Sequence, residues 1–286
     1  MTTRPGILPA IVRGLQESVP AMRPIRFATF LAPNMLPVYE AVAAYVSRCL
    51  GMPTELAPGE RFSAFAAGEA DVGFICGLPY VELMGEREPS IELLAAPVLA
   101  GERYQQRPIY YSDVIVRREQ RWQRFADLRG GSWAYNDTDS HSGYNVTRYA
   151  LVRLGETRGF FGRVVEAGYH QRSLRLVAEG EVDASAIDSQ VLAIELREHP
   201  ELAERVRVID TLGPSSIQPV VAARCLPATL KADLRAALLG MAADAEARER
   251  LAHGYVSHFA AVTDHDYDDI RAMVAAAEAV GFLTLR

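Results

Sequence analysis

The sequence predicts an α/β protein of two lobes, one inserted into the other, and three observations carry that prediction. A β-α-β-α-β rhythm with short connections starts at Ile25, the pattern of parallel strands layered against helices. The same rhythm restarts at Ser132. Two β runs, Val206 to Asp210 and Gln218 to Ala222, then follow one another without a helix between them, as a return crossing into the first unit does. A domain interrupted by another is joined to it by two strands, and two strands make a hinge.

In order, Ile25 to Phe30 is a β run closed by the turn residues Ala32, Pro33 and Asn34. A helix from Pro37 places Val38, Val42, Tyr45, Val46 and Cys49 on one face and ends at Gly51. Thr54 to Leu56 is a brief strand, Arg61 to Ala67 a short helix and Asp71 to Cys76 a third strand, followed by a helix carrying Leu78, Val81 and Leu83. Ile91 to Leu99 and Ile109 to Val116 are further strands, and Arg121 to Leu128 reads as a helix. The second series runs through a strand at 132–135, a helix at 143–154, a strand near Val164 to Ala167 and a helix from Gln171 to Glu179. It closes with a strand at Ala184 to Ile187 and a helix from Ser189 to Glu198. Helices at Pro227 to Leu239, Ala242 to Leu251 and Tyr267 to Val280 complete the chain. This divides it into an N-terminal extension, 1–24, a discontinuous lobe one, 25–116 plus 207–286, and an inserted lobe two, 117–206.

With 286 residues, 49% of them hydrophobic, the chain fills sizeable cores. Its 36 acidic and 30 basic residues leave a net charge of −6, which argues against a nucleic-acid partner. No window approaches a membrane-spanning helix, so no membrane insertion is expected. The N-terminal apolar run, Ile7 to Val12, is broken by Pro9 and is too short for a secretory core. The chain as it stands therefore reads as cytoplasmic, or periplasmic if a leader exports it. Three scattered cysteines fit neither a disulfide framework nor a zinc site. No Walker or dinucleotide fingerprint is present, so no cofactor is expected. His253, His258 and His265 lie in an acidic tail that lacks the glycine and terminal glutamate of a calcium loop, and they read as structural.

The stretch from Gly131 to Leu151 stands out. A short strand is followed by Ser140, His141, Ser142 and Gly143 at the start of a helix. Unpaired first-turn amides and the macrodipole make such a terminus an anion site, although a serine there also serves as a plain helix cap. In open parallel sheets, ligands bind beyond the carboxyl ends of the strands. That rule adds Asn34, Cys76, Tyr80 and Tyr110 as candidates. The two tyrosines read equally well as core aromatics, and Cys76 as a small buried hydrophobe.

The series DVGFICGLPYVEL, YYSDVIVRR, FADLRGGSWAYND, SHSGYNVTRYAL, EAGYHQRSLRLVAEGEVDASAIDSQVL and VIDTLGPSSIQPVVAAR resembles the phosphonate/phosphite-type solute-binding proteins of ABC transporters over about Arg26 to Gly240. The resemblance implies a type II periplasmic-binding-protein fold, two α/β lobes joined by two hinge strands with the ligand cleft between them. It implies capture of a small oxyanion (phosphonate, phosphite or phosphate-like) as a component of an ABC transport system, with a permease as partner. The family's oxyanion loop maps onto Ser140, His141 and Ser142, and its cleft aromatic onto Tyr110. His170, in GYHQRSL, replaces an acidic residue of the family, and Asp188 stands where the family places a polar ligand-facing group. His141 replaces the usual threonine. Two imidazoles able to carry charge near neutral pH suggest a more anionic or amine-free ligand. The alternative is a cytoplasmic enzyme or ligand sensor on the same fold, with Cys76 as thiolate and His141 or His170 as its base.

Overall fold

The computed structural model describes residues 23–285. The expected N-terminal extension therefore lies outside the described residues, except for Arg23 and Pro24. In chain order the elements are β1 (Ile25–Thr29), α1 (Leu36–Leu50), β2 (Thr54–Pro58), β3 (Val72–Phe74), α2 (Gly77–Met84), β4 (Ile91–Leu99) and β5 (Ile109–Arg117). They continue with β6 (Ser132–Tyr135), α3 (Val146–Arg153), β7 (Arg163–Glu166), α4 (His170–Glu179), β8 (Ala184–Asp188), α5 (Ser189–Glu198) and α6 (Pro200–Arg205). The last are β9 (Val206–Ser216), β10 (Val220–Ala223), α7 (Ala228–Gly240), α8 (Ala245–His253), β11 (Val256–Ala260) and α9 (Asp268–Ala279).

Two sheets result. The six-stranded sheet has the order β11-β4-β10-β3-β1-β2, and the five-stranded sheet β7-β6-β8-β5-β9. In the first, β1 lies parallel between β2 and β3; in the second, β6 lies parallel between β7 and β8. The restart of the pattern at Ser132 is thus a repeat of topology. Strand β1 is buried on nearly every residue, as a strand covered by helices on both sides is. Helix α1 seals one side of it with Val38, Val42 and Val46, which share a face and are at most 3% exposed. Gly51 ends α1 at φ 64°, a left-handed conformation that costs other residues more. The second sheet holds its own aromatic core, in which Trp133 stacks on Phe161 at 4.7 Å and meets Phe125 edge to face.

The strand pairing bears on the lobe boundaries expected at 116 and 207. Strands β5 and β9 pair with each other along their whole lengths, and β5 also pairs with β8, so both crossing strands belong to the second sheet. The C-terminus is not wholly part of the first lobe either. Helix α9 packs on both α2 and α3, and Phe282 and Leu285 enter the aromatic core of the second sheet. We propose lobe limits near 108 and 217, with the C-terminal tail strapped across to lobe two. The helices expected at 61–67 and 121–128 are single 3-10 turns, Phe62–Ala64 and Phe125–Leu128, too short to bury a helical stripe. Strand β11 has no counterpart among the expected elements; its VSHFA carries a half-buried histidine, and its pairing with the distant β4 has no local signal.

One buried charge fastens the first sheet. Asp71, 2% exposed, receives the Arg23 and Arg26 guanidinium groups and the Arg26 backbone N–H. Burial pushes its carboxyl up, but the hydrogen bonds from Arg23 and Arg26 outweigh burial and bring it down to about 2 from 3.8. Because the folded value is the lower one, the stabilisation is complete above pH 3.8 and is lost as pH falls through about 2. Asp71→Asn is expected to cost about 2 kcal/mol in urea unfolding at pH 7. Its difference from the parent should shrink as the medium is acidified below pH 3.8.

Candidate functional site

The carboxyl ends of six parallel strands converge on one cleft of about 510 Å³. From the first sheet come Thr29 and Phe30 after β1, Pro58 and Gly59 after β2, and Cys76 after β3; from the second come Asn136 after β6, Gly168 after β7, and Asp188 at the end of β8. This is where an open parallel sheet binds ligands. The lobe-two wall is polar, with Ser140, Ser142 and His170, whereas the lobe-one wall is largely apolar.

The serine stretch folds as a single π turn, His141–Asn145, running straight into α3. Wide turns of this kind often mark functional sites. Ser140 is the N-cap: its backbone is extended, and its Oγ accepts from the Gly143 N–H at 3.1 Å. Its hydroxyl also lies 3.5 Å from Ser142 Oγ, a pair in which either oxygen can donate. Gly143 packs against Asn136: a Cβ there would lie 1.9 Å from Asn136 Oδ1 and would displace that side chain.

His141 does not face the cleft. Its ring is fully buried: Nε2 lies 2.8 Å from Ser215 Oγ in β9 and Nδ1 lies 3.1 Å from Asn145 Nδ2. Arg148 donates to Asn145 Oδ1 and so fixes the amide with its NH2 toward the imidazole. Nδ1 must then accept, and the single ring proton sits on Nε2. Protonating Nδ1 would set two donors against each other, and burial alone pushes the ring down to about 3 from 6.5. His170 lines the cleft, with Nε2 2.9 Å from Ser142 Oγ and Nδ1 buried without a partner. Burial depresses it to about 3 as well. The expectation of two cationic imidazoles is therefore corrected: both are neutral, because neither has an anionic partner to offset desolvation.

Asp188 caps α5 by accepting from the Gln190 and Val191 N–H groups, and Gln218 donates to its other oxygen. Burial raises its carboxyl to about 6 from 3.8, against the hydrogen bonds that lower it. Cys76 Sγ accepts the His141 backbone N–H at 3.3 Å, a contact between lobes, and burial pushes its thiol up. Neither imidazole is hydrogen-bonded to that sulfur. The pairing of Cys76 with His141 or His170 as its base is not made in this arrangement.

Of the expected residues, Ser140, Ser142, His170, Asp188 and Cys76 line the cleft together. Gly143 and His141 support the turn from behind. Tyr110 is buried behind the wall, with its hydroxyl unpartnered. Tyr80 belongs to the core, donating to Asp264 and packed against Tyr267 at 4.4 Å. Asn34 bridges the lobes by donating to the Val191 carbonyl. Missed were Phe30, Tyr39, Phe62, Asn136, Tyr169 and Gln218. Applying the strand-end rule to β1 and β6 points to Phe30 and Asn136; nothing local marks Gln218. Of the tail histidines, His253 ends α8, His258 lies in β11 and His265 pairs with Asp268.

A family model described as ABC transporter, phosphonate, periplasmic substrate-binding protein matches residues 27–267. The chain belongs to this phosphonate-binding family. Among solved structures, it is similar to a binding-protein component of an ABC phosphonate transporter from Pseudomonas aeruginosa, with 20% identity and a TM-score of 0.75 over 87% of this chain and 85% of that one. It is also similar to PhnD1 from Prochlorococcus marinus in complex with methylphosphonate, with 15% identity and a TM-score of 0.77 over 90% and 98%. The aliphatic sulphonate binding protein SsuA of Escherichia coli follows at 14% identity and a TM-score of 0.60 over 90% and 87%. The fold is that of the type II periplasmic binding proteins. Among the described residues of this phosphonate-binding family member, no helix is long and apolar enough to cross a membrane.

Two outcomes test the site chemistry. With folded values below 6.5, the neutral rings stabilise the protein above pH 6.5, and that contribution is lost as pH falls toward 3. In ring-nitrogen NMR the signals of His141 and His170, two of the six histidines, should not titrate between pH 8 and 5; a midpoint near 6.5 at either would refute the neutral-ring assignment. Separately, Cys76→Ala should retain the thermal shift produced by a phosphonate ligand to within about twofold in apparent affinity.

Proposed function

We propose that this phosphonate-binding family member is a solute receptor that captures an organophosphonate or related small oxyanion between its lobes and presents it to an ABC permease in the periplasm, without turnover. The carrying observation is the Ser140–Ser142 turn at the start of α3, set in the cleft beside His170. A tetrahedral oxyanion there finds two hydroxyls and the positive end of the helix dipole, while the His141 and Gly143 amides are already given to Cys76 and Ser140. His170 Nδ1, buried and unpartnered, is a further polar contact. The inert Cys76 favours binding over catalysis.

Among the described residues no Lys or Arg lines the cleft, while Glu60, Asp137, Asp139 and Asp188 all do. With both imidazoles neutral, a bare dianion meets carboxylates and no counter-cation. The electrostatics favour an oxyanion that carries its own positive group, and the amine-free preference loses its basis. The methylphosphonate of the Prochlorococcus neighbour makes that ligand a natural reference.

By isothermal titration at pH 7.5, 2-aminoethylphosphonate should bind on the order of tenfold more tightly than methylphosphonate. Asp188→Asn keeps a good helix cap and removes one charge, so it should narrow that ratio. Equal affinities in the parent would contradict the electrostatic reading, and absence of binding by both would contradict the receptor assignment.

A further inference from the structure

The cleft is larger than an oxyanion needs. Its volume of about 510 Å³ falls within the ~300–1,000 Å³ range of pockets that enclose drug-sized molecules. A phosphonate head fills only the corner at Ser140 and Ser142. The remainder lies between the Pro58–Phe62 loop of lobe one and the loops after β6 and β7 of lobe two.

That remainder has an unusual composition. Phe30 and Phe62 stack with ring centroids 4.6 Å apart, and both line the cleft. Gly59 is what lets the Phe30 ring lie flat against the loop, because a Cβ there would come within 2.3 Å of it. On the other lobe Tyr169, 60% exposed, stands at the rim of the same cleft. The same cleft is lined by Glu60, Asp137 and Asp139. Burial and the charge of Asp137 raise the Asp139 carboxyl, the response of crowded acids with no cation to relieve them.

Three kinds of substituent can be weighed against this surface. A neutral apolar group suits the aromatic wall but leaves the carboxylates uncompensated. A primary ammonium answers the carboxylates, but it is strongly hydrated and gains less from lying on rings than from hydrogen bonds. An alkylated ammonium answers both, since its methyl groups pack on aromatic surface while its diffuse charge is attracted by ring quadrupoles and nearby carboxylates. It also occupies far more of the volume.

We infer that the Phe30–Phe62 wall and the Glu60, Asp137 and Asp139 carboxylates form a subsite for a quaternary ammonium group, so that the cleft takes a phosphoester or phosphonate bearing a trimethylammonium tail. This inference rests on the oxyanion reading above and specifies the other half of the ligand.

The test uses four probes by isothermal titration on the full chain: methylphosphonate, phosphoethanolamine, phosphocholine and 3,3-dimethylbutyl phosphate, the uncharged isostere of phosphocholine. Phosphocholine should bind about tenfold more tightly than both phosphoethanolamine and the isostere. Phe62→Leu, which keeps apolar bulk and removes the ring, should bring the ratio of phosphocholine to isostere affinity toward one. If methylphosphonate binds but phosphocholine has no advantage over either analogue, the subsite is refuted and the oxyanion reading stands. If the advantage survives in Phe62→Leu, the aromatic assignment is refuted. If none of the four binds, the oxyanion reading fails and the subsite fails with it.

Discussion

A single buried imidazole holds the site in place. The His141 ring is tied to Ser215 in β9 on one side and to Asn145 at the start of α3 on the other, while its backbone N–H reaches Cys76 Sγ in the opposite lobe. The ring stays neutral because Arg148 fixes the Asn145 amide and because burial penalises the cation. Through these contacts the serine turn is tied to the crossing strand and touches the first lobe. The aim of Ser140 and Ser142 depends on a residue that does not itself face the cleft.

Around this anchor the two lobes are held in contact by polar bonds that span the cleft. Asn34 donates to the Val191 carbonyl, Gln218 to Asp188, and Gln190 to the Gly254 carbonyl. Most involve α5 and its cap, so the first turns of α5 act as the closing face of lobe two. Strands β5 and β9 pair along their lengths and deliver the chain into and out of that lobe. Tyr110 and Ser215 lie opposite each other in β5 and β9, near one end of the paired stretch. The C-terminal strap adds a third tie, with Arg148 and Tyr144 both donating to the Leu283 carbonyl.

Much of this was legible in the sequence, for identifiable reasons. Strand β6 and helices α4 and α5 combine clear periodicity with capping residues, and their predicted bounds fall within a residue of those observed. The topology followed from the repeat of rhythm, and the serine turn from its strand-to-helix context. What escaped was non-local. Whether an imidazole is charged depends on Ser215 and Arg148 as much as on its own neighbours in the chain, and residue type alone suggested a cation. Tyr80 follows a strand, as a cleft residue does, yet its partners Asp264 and Tyr267 are nearly two hundred positions away and draw it into the core. Phe30, Phe62 and Tyr169 read as ordinary hydrophobics until the cleft brings them together.

The electrostatic character of the cleft is the feature least visible from composition. A net charge of −6 is unremarkable, but among the described residues no Lys or Arg lines the cleft, which leaves the oxyanion to neutral groups: hydroxyls, amides, the His170 ring and a helix dipole. The central claim is that the phosphonate head sits on the Ser140–Ser142 turn. A crystal structure of the methylphosphonate complex tests it most directly. The account predicts phosphonate oxygens within hydrogen-bonding distance of the Ser140 and Ser142 hydroxyls, with His170 alongside. A head group bound against Phe30 and Phe62, away from the serine turn, would contradict it.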